Sequence, residues 1–266
     1  MIGRKPLPAR YSAWNERWGA PFGRPAALSA TLRERFERPD LAAHGPFAYQ
    51  VNSGTRAFEY PWAYFAADAA PGTRVLEIGG GTSGLQFVLA LEGCEVVNAD
   101  PGDMDYGWPM PLPSWQSNDT VHRRLNDAFG TNVLLVTRRL QEAGLQPESF
   151  DRILCLSVIE HLSPEESRAL LLRAAELLRP DGRLIVTIDL FFDLIPFGVL
   201  ARNGYGANAD VCALVSGLGL DLRHGDPREL LGFPEFDRDR IVGLVPELFM
   251  SPSYPCVPQT LVLRKP

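Results

Sequence analysis

The sequence predicts an α/β protein: a doubly wound, mostly parallel seven-stranded sheet behind an N-terminal extension that is irregular and partly helical. Three observations predict it. From Pro71 onward, short β-rich runs alternate with helical segments, the pattern of βαβ units around a parallel sheet. The first of these runs leads straight into a glycine loop, Val75-Leu76-Glu77-Ile78-Gly79-Gly80-Gly81-Thr82-Ser83-Gly84. A carboxylate, Asp100, then closes the second run, 19 residues after Gly81.

Taken in order, residues 1 to about 55 are rich in Pro, Gly, Arg and aromatics, with one helical patch near Leu28 to Arg38. Thr55 to Ala69 reads as a helix with an apolar side, which Pro61 must start or kink. Strands are predicted at Arg74–Ile78, Glu95–Ala99, Asn132–Val136, Arg152–Leu156 and Arg183–Ile188. Helices are predicted at Gly84–Glu92, Asn118–Phe129, Arg138–Ala143 and Pro164–Leu178. The last has the clearest signals. Ser163 is its N-cap, Pro164 its first residue and Glu165-Glu166 its acidic first turn, and its apolar face runs through Leu170, Leu171, Ala174, Leu177 and Leu178. Pro180-Asp181-Gly182 makes a turn into the fifth strand. An apolar stretch from Phe191 to Gly206 follows, then a helix at Ala207–Gly217 and strands at Gly219–His224 and Gln259–Lys265. The chain thus divides into an extension, residues 1–70, that roofs part of a pocket, and a sheet domain, residues 71–266, with a substrate lid at 190–206.

The glycine loop contains a literal G-x-G-x-x-G, which by itself suggests a dinucleotide. A strand entering glycines and then a helix lets backbone approach a nucleoside without Cβ atoms in the way. Glu77, two residues before the first glycine, would oppose phosphates. It suits a ligand bearing an ammonium group there, with loop amides facing that ligand's carboxylate. S-adenosylmethionine has an α-ammonium, a carboxylate and a sulfonium, and no phosphate. Asp100 can accept both ribose hydroxyls, a device common to dinucleotides and S-adenosylmethionine.

The stretch Phe150-Asp151-Arg152-Ile153-Leu154-Cys155-Leu156-Ser157-Val158-Ile159-Glu160-His161-Leu162, with LRPDGRLIVTIDL after it, resembles the class I S-adenosylmethionine-dependent methyltransferases. With the glycine loop and Asp100, these motifs follow the family's order and spacing from about 71 to 190. The resemblance implies a Rossmann-like methyltransferase fold, S-adenosylmethionine as cofactor, and contacts to it from Glu77, Gly79, Gly80, Gly81, Ser83, Asp100, Pro101, Ser157 and Val158. The chain departs from the family pattern twice. Ser83 stands where many members have a third glycine, with Gly84 one place later, and the segment after the third strand lacks the acidic residue that often meets the adenine amine. Leu140, through its backbone, is the expected substitute.

Methyl transfer needs a positioned nucleophile and, for a hydroxyl, a base. His161, after the fourth strand, and Asp189, at the end of the fifth, are the candidates, with Glu160 a weaker one. Tyr60 and Tyr205 represent two aromatic stretches expected to contact the substrate, the N-terminal one also containing Tyr11, Trp14, Trp18, Tyr49, Arg56 and Trp62. No Asp/His cluster suggests a metal, and His44, His122 and His224 read as surface or structural residues. The N/D-P-P-Y/F motif that grips an extruded adenine is absent after the fourth strand. Pro255-Cys256 mimics the nucleophile pair of cytosine methylases but lies near the C-terminus, far in sequence from the cofactor loops.

Composition is consistent with this reading. The 266 residues are 45% hydrophobic and 22% charged, with 26 Lys+Arg against 32 Asp+Glu and a net charge of −6. An acidic chain without basic runs longer than two residues argues against a nucleic-acid partner. Four cysteines without a C-x-x-C pair point to a reducing cytoplasm, and neither a secretory leader nor a membrane span is expected. The expectation is a cytoplasmic methyltransferase acting on a small molecule, most simply at oxygen, in secondary or carbohydrate metabolism. N- or C-methylation, a NAD-dependent oxidoreductase and a non-catalytic binding module are its rivals.

Overall fold

A computed structural model describes residues 1–102, 119–252 and 254–266. Its seven-stranded sheet has the order β3-β2-β1-β4-β5-β7-β6. The strands are β1 Arg74–Ile78, β2 Glu95–Ala99, β3 Leu134–Val136, β4 Phe150–Leu156, β5 Leu178–Phe191, β6 Asp221–His224 and β7 Cys256–Arg264. β1 to β5 are parallel, and β7 runs antiparallel between β5 and β6. The strand order reverses at β1 and β4, so the crevice beyond their carboxyl ends is the expected ligand site of such a sheet.

The helices are α1 Ala9–Trp18, α2 Leu32–Glu37, α3 Leu41–His44, α4 Arg56–Ala67, α5 Gly84–Leu91, α6 Asp119–Phe129, α7 Pro164–Leu177, α8 Val211–Val215 and α9 Arg238–Gly243. They cover both sheet faces, as double winding requires. One core packs α1, α4, α5 and α6 against Val75, Val96, Leu154 and Ile185, whose neighbours in the strands, Leu76, Val97, Ile153 and Val186, meet α7 and α8 in the other core. Among the described residues, no helix is long and apolar enough to cross a membrane.

Local chemistry explains most boundaries. α7 begins at a capping box in which Ser163 accepts from the Glu166 amide and Glu166 accepts in return, and α2 repeats the device with Thr31 and Glu34. Pro61 neither starts nor breaks α4. A proline here removes the donor that the Ala57 carbonyl would meet. Asn15 of α1 supplies one instead, its Nδ2 donating to Ala57 O at 2.7 Å.

Other expectations are corrected. The helix predicted at Arg138–Ala143 is a single 3-10 turn, Leu140–Glu142. The helix predicted at Ala207–Gly217 shortens to α8, because Asn208 bonds the Phe191 backbone instead and Asp210 caps at Ala213. The predicted start of α6 at Asn118 lies outside the described residues. The turn at Pro180-Asp181-Gly182 sits inside β5 as a bulge: register jumps from Leu178 opposite Phe150 to Arg183 opposite Arg152, with Asp181 at φ +64°.

Candidate active site

The glycine loop is held from several directions. Gly79 and Gly81 lie at φ +65° and +54°, where glycine is favoured. A Cβ on Gly80 would meet Glu77 Cδ at 2.8 Å and Asn98 Oδ1 at 2.9 Å, and one on Gly79 would meet Val158 Cγ2 at 2.7 Å. The amides at 79, 80, 81 and 83 donate to Ala99 O, Asn98 Oδ1, Asp100 Oδ2 and Gly80 O respectively. This corrects the expectation that these amides face a ligand's carboxylate. The loop offers close backbone approach instead. Its Gly81 carbonyl accepts from Asn98 Nδ2 at 2.8 Å and Gln86 Nε2 at 3.2 Å, with His122 Nε2 2.9 Å away. His122 is therefore structural, and burial lowers its pKa.

Ser83 and Gly84 now have separate jobs. Ser83 caps α5 by accepting from the Leu85 amide at 3.1 Å. A Cβ on Gly84 would lie 2.5 Å from Phe47 Cδ1 and Cγ and 2.9 Å from its Cα. The displaced glycine admits the 3-10 turn Pro46–Tyr49 of the N-terminal extension against the start of α5.

At the end of β1, Glu77 is buried and its Oε2 has no partner among the described residues. Burial pushes its carboxyl up to about 7 against the lowering influence of Ser83 and Arg56. A buried acceptor without a donor marks a place for a ligand's donor, here an ammonium. Gln50 Oε1, likewise unpartnered, points to within 3.1 Å of where a Gly81 Cβ would lie. Asp100 is buried and takes the Gly81 amide on Oδ2 at 2.6 Å and the Gly102 amide on Oδ1 at 2.7 Å. Each oxygen keeps acceptor capacity for a ribose hydroxyl. Pro101 follows directly, and Leu140 packs into the α7-side core. These residues fit S-adenosylmethionine: Glu77 for the ammonium, Asp100 for the ribose and the glycine loop for close approach.

A second cluster joins α4 to the ends of β4 and β5. Ser157 follows β4 directly at φ +48°, a strained value for a residue other than glycine. Its amide reaches Thr187 O at 3.0 Å and Thr187 Oγ1 at 3.1 Å, and its hydroxyl donates to Glu59 Oε2 at 2.7 Å. Thr187 Oγ1 donates to the same oxygen at 2.6 Å, and Arg56 meets it at 2.9 Å while also reaching Ser157 Oγ at 3.0 Å. Fully buried Glu59 and largely buried Arg56 thus pin the extension to the sheet through their ion pair.

Beyond them lie Asp189 and Glu160. Burial and then the Glu59 charge push the Asp189 carboxyl up to about 7, while Arg56 and bonds from Cys256 and Tyr254 oppose the rise. Burial and Asp189 hold Glu160 well above the usual carboxylate range. Asp189 Oδ1, Glu160 Oε2 and Glu59 Oε1 are buried and have no hydrogen-bond partner among the described residues. Tyr254 OH donates to Asp189 Oδ2 at 3.4 Å, and the Tyr254 ring stacks on Tyr205 with centroids 3.9 Å apart. His161 differs: burial, Arg56 and Arg202 lower its pKa to about 4, leaving a neutral and weakly basic imidazole. Among the described residues, no group of three or more His, Cys, Asp or Glu could hold a metal ion.

Residues 53–220 match a family model described as a methyltransferase domain. The chain belongs to this family. A ubiquinone biosynthesis O-methyltransferase of Azorhizobium caulinodans is 30% identical over 182 residues, 67% of this chain and 60% of that protein. The chain thus matches about three fifths of that curated relative's length. Among solved structures, the 1,6-didemethyltoxoflavin-N1-methyltransferase of Burkholderia thailandensis, bound to 1,6-didemethyltoxoflavin and S-adenosylhomocysteine, has a TM-score of 0.53 at 16% identity, covering 99% of this chain and 94% of its own. The [4+2]-cyclase SpnF has a TM-score of 0.51 at 14% identity, covering 81% of this chain and 85% of its own. The last two likenesses concern the fold, and folds of this kind carry more than one chemistry.

Within this methyltransferase domain the anticipated residues divide between two clusters. Glu77, the glycines, Ser83 and Asp100 gather at the β1 and β2 ends; Ser157, Asp189 and Glu160 gather beyond β4 and β5, and Val158 touches the loop from that side. His161 lies on the following turn. Tyr60 is buried in the aromatic core against Phe47, its hydroxyl donating to Asn52 Oδ1 at 2.7 Å. Tyr205 sits at the surface side, stacked on Tyr254. Sequence reasoning missed Gln50, Glu59, Asn98 and Tyr254. Glu59 and Asn98 carried a signal, each a lone polar residue within an apolar run, Phe58–Tyr60 and Val96–Ala99. Cys256, distant in sequence, lies opposite Phe191 in the sheet, and its thiol lowers the Asp189 pKa. Burial raises its thiol pKa, the opposite of what a nucleophile needs.

Proposed function

We propose that the protein is an S-adenosylmethionine-dependent methyltransferase acting on a hydroxyl of a small organic molecule, of secondary or carbohydrate metabolism. Asp189 carries this reading: a carboxyl near the end of β5, pushed up to about 7 by burial and with an oxygen that has no partner among the described residues, is equipped to take a proton near neutral pH. The relative from Azorhizobium caulinodans is an O-methyltransferase by name, which supports the choice of oxygen.

When bound, S-adenosylmethionine supplies a methyl group activated by the adjacent sulfonium. Glu77 would hold its ammonium, Asp100 its ribose, and Gly79 to Gly81 would let it lie against the loop, with Ser83, Pro101, Leu140, Ser157 and Val158 around it. The chain's own part in the chemistry is then positional and acid–base. Asp189 Oδ1 accepts the acceptor's hydroxyl proton, and Tyr254, donating to Oδ2, steadies the carboxyl. Arg56 balances the developing negative charge among Glu59, Glu160 and Asp189. The N-terminal extension up to residue 70 and a lid at 190–206, with Tyr205 at its rim, exclude water.

The deciding experiment supplies methyl-labelled S-adenosylmethionine with a panel of phenols, sugars and amines, using wild type and Asp189→Asn. Transfer to a hydroxyl that Asp189→Asn abolishes is the expected result. Transfer to amines alone, undiminished by the substitution, would overturn the assignment of oxygen and of the base. Tight binding of NAD without S-adenosylmethionine would overturn the cofactor.

A further inference from the structure

A large concavity lies at the opposite end of the sheet from the glycine loop. It measures about 850 Å³ and is walled by Arg10, Arg152, Arg183, Arg223 and Arg264, with Tyr11, Trp62 and Phe65 among its lining. Arg152 near the amino end of β4 pairs in register with Arg183, which follows the bulge of β5; Arg264 closes β7, Arg223 lies in β6, and Arg10 lies in the first turn of α1. Five guanidinium groups from five elements converge in a chain whose net charge is −6.

Part of this charge has a structural use. Arg152 Nε donates to Ala67 O at 2.5 Å and Arg183 donates to Ala66 O at 3.2 Å, so both cap the carbonyl end of α4. These bonds satisfy donors without neutralising charge. Among the described residues, the one carboxylate within ion-pair range of Arg183 is Asp68, 3.7 Å away and largely exposed. After burial, repulsion from Arg183 is the next influence lowering the Arg152 pKa. Arg223 and Arg264 pair with the exposed Asp221 and Asp181, surface contacts that a more highly charged anion can replace. Among the described residues, Arg10 has no carboxylate partner; its guanidinium lies 4.9 Å from the Phe65 ring centroid and 5.3 Å from that of Tyr11. The cleft's volume is that of a small-molecule site, and convergent guanidinium forks match phosphate oxygens.

We propose that this cleft binds a small molecule carrying phosphate or pyrophosphate groups, at a site separate from the cofactor loops. Arg10, Arg223 and Arg264, the arginines not engaged by α4, are its adjustable contacts.

Calorimetric titration of the full chain with sodium pyrophosphate, at matched ionic strength with sodium chloride as control, tests this. Saturable binding is expected, weakened about tenfold or more in Arg10→Gln/Arg264→Gln, with S-adenosylmethionine affinity unchanged. Circular dichroism checks that the variant folds. Should it not, Arg223→Gln, a substitution at an exposed side chain, is expected to weaken pyrophosphate binding instead. No saturable heat with wild type, or equal affinity in the folded variant, would overturn the proposal. Heat reproduced by chloride alone would reduce the cleft to a non-specific counter-ion surface and overturn it equally.

Discussion

Asp189 and His161 were equivalent candidates by position, and their surroundings separate them. Burial acts on both, but on opposite charge types: it favours the protonated carboxyl and the neutral imidazole. Nearby charges add to this, Glu59 raising Asp189 and Arg56 lowering His161. Asp189→Asn is therefore expected to lower kcat about a hundredfold or more, while His161→Gln leaves most activity. In wild type, kcat should rise with pH and level off above about 7, the value to which Asp189 is pushed. Stopped assays across pH check both; a profile unmoved by Asp189→Asn would remove Asp189 from the chemistry. Glu77 predicts a binding effect of the same sign. Its carboxyl must ionise to pair with an ammonium, so affinity for S-adenosylmethionine should strengthen as pH rises through about 7. Glu77→Gln should weaken binding by about 1.5–3 kcal/mol and flatten that slope, as read by calorimetry.

At the scale of elements, the junction of α5 with the N-terminal extension turns on Gly84. Phe47 occupies the space a Cβ would need, and its own backbone is part of the obstruction. Gly84→Ala should destabilise the fold by about 1–3 kcal/mol in urea unfolding. Gly243→Ala, whose Cβ would meet nothing within 4 Å, serves as the control and should be near neutral. Such junctions mark where the sequence stops being legible. β1, β2 and α7 could be read closely because each carries its own signal: a β-branched run, a following glycine or carboxylate, or a cap with an acidic first turn. Glu77 and Asp100 were legible for the same reason, since strand ends fix their positions. α1 was not, because its helix buries only Tyr11 and Trp14 and depends on packing against α4. Gln50 and Tyr254, and the partners of Glu59, were hidden for a related reason. Their roles arise from contacts across the fold, such as Ser157 with Glu59, 98 residues apart, and no local spacing encodes those. The helix forecast at Ala207–Gly217 failed where a side chain, Asn208, found better partners in Phe191.

Across the whole molecule, the site carries a charge imbalance that should appear in stability. Among the described residues, Glu59, Glu160 and Asp189 face one guanidinium, Arg56, while Tyr254 and Cys256 are neutral. A carboxyl whose folded pKa is raised contributes stability that is full below its unfolded value, about 4, and is lost as pH rises through the folded value, about 7 for Asp189. Total stability does not isolate this effect. His122, His161 and His224 have lowered pKa values, so they cost stability as pH falls through the unfolded histidine value, about 6.5. The difference between wild type and Asp189→Asn cancels the histidines, which both share. That difference should move in favour of the variant between about pH 5 and about pH 8, by an amount on the order of 1 kcal/mol or more. Urea unfolding of the two proteins without ligand at several pH values measures it. A difference independent of pH would mean that Asp189 is ionised throughout, and would withdraw the physical basis for its use as a base near neutrality.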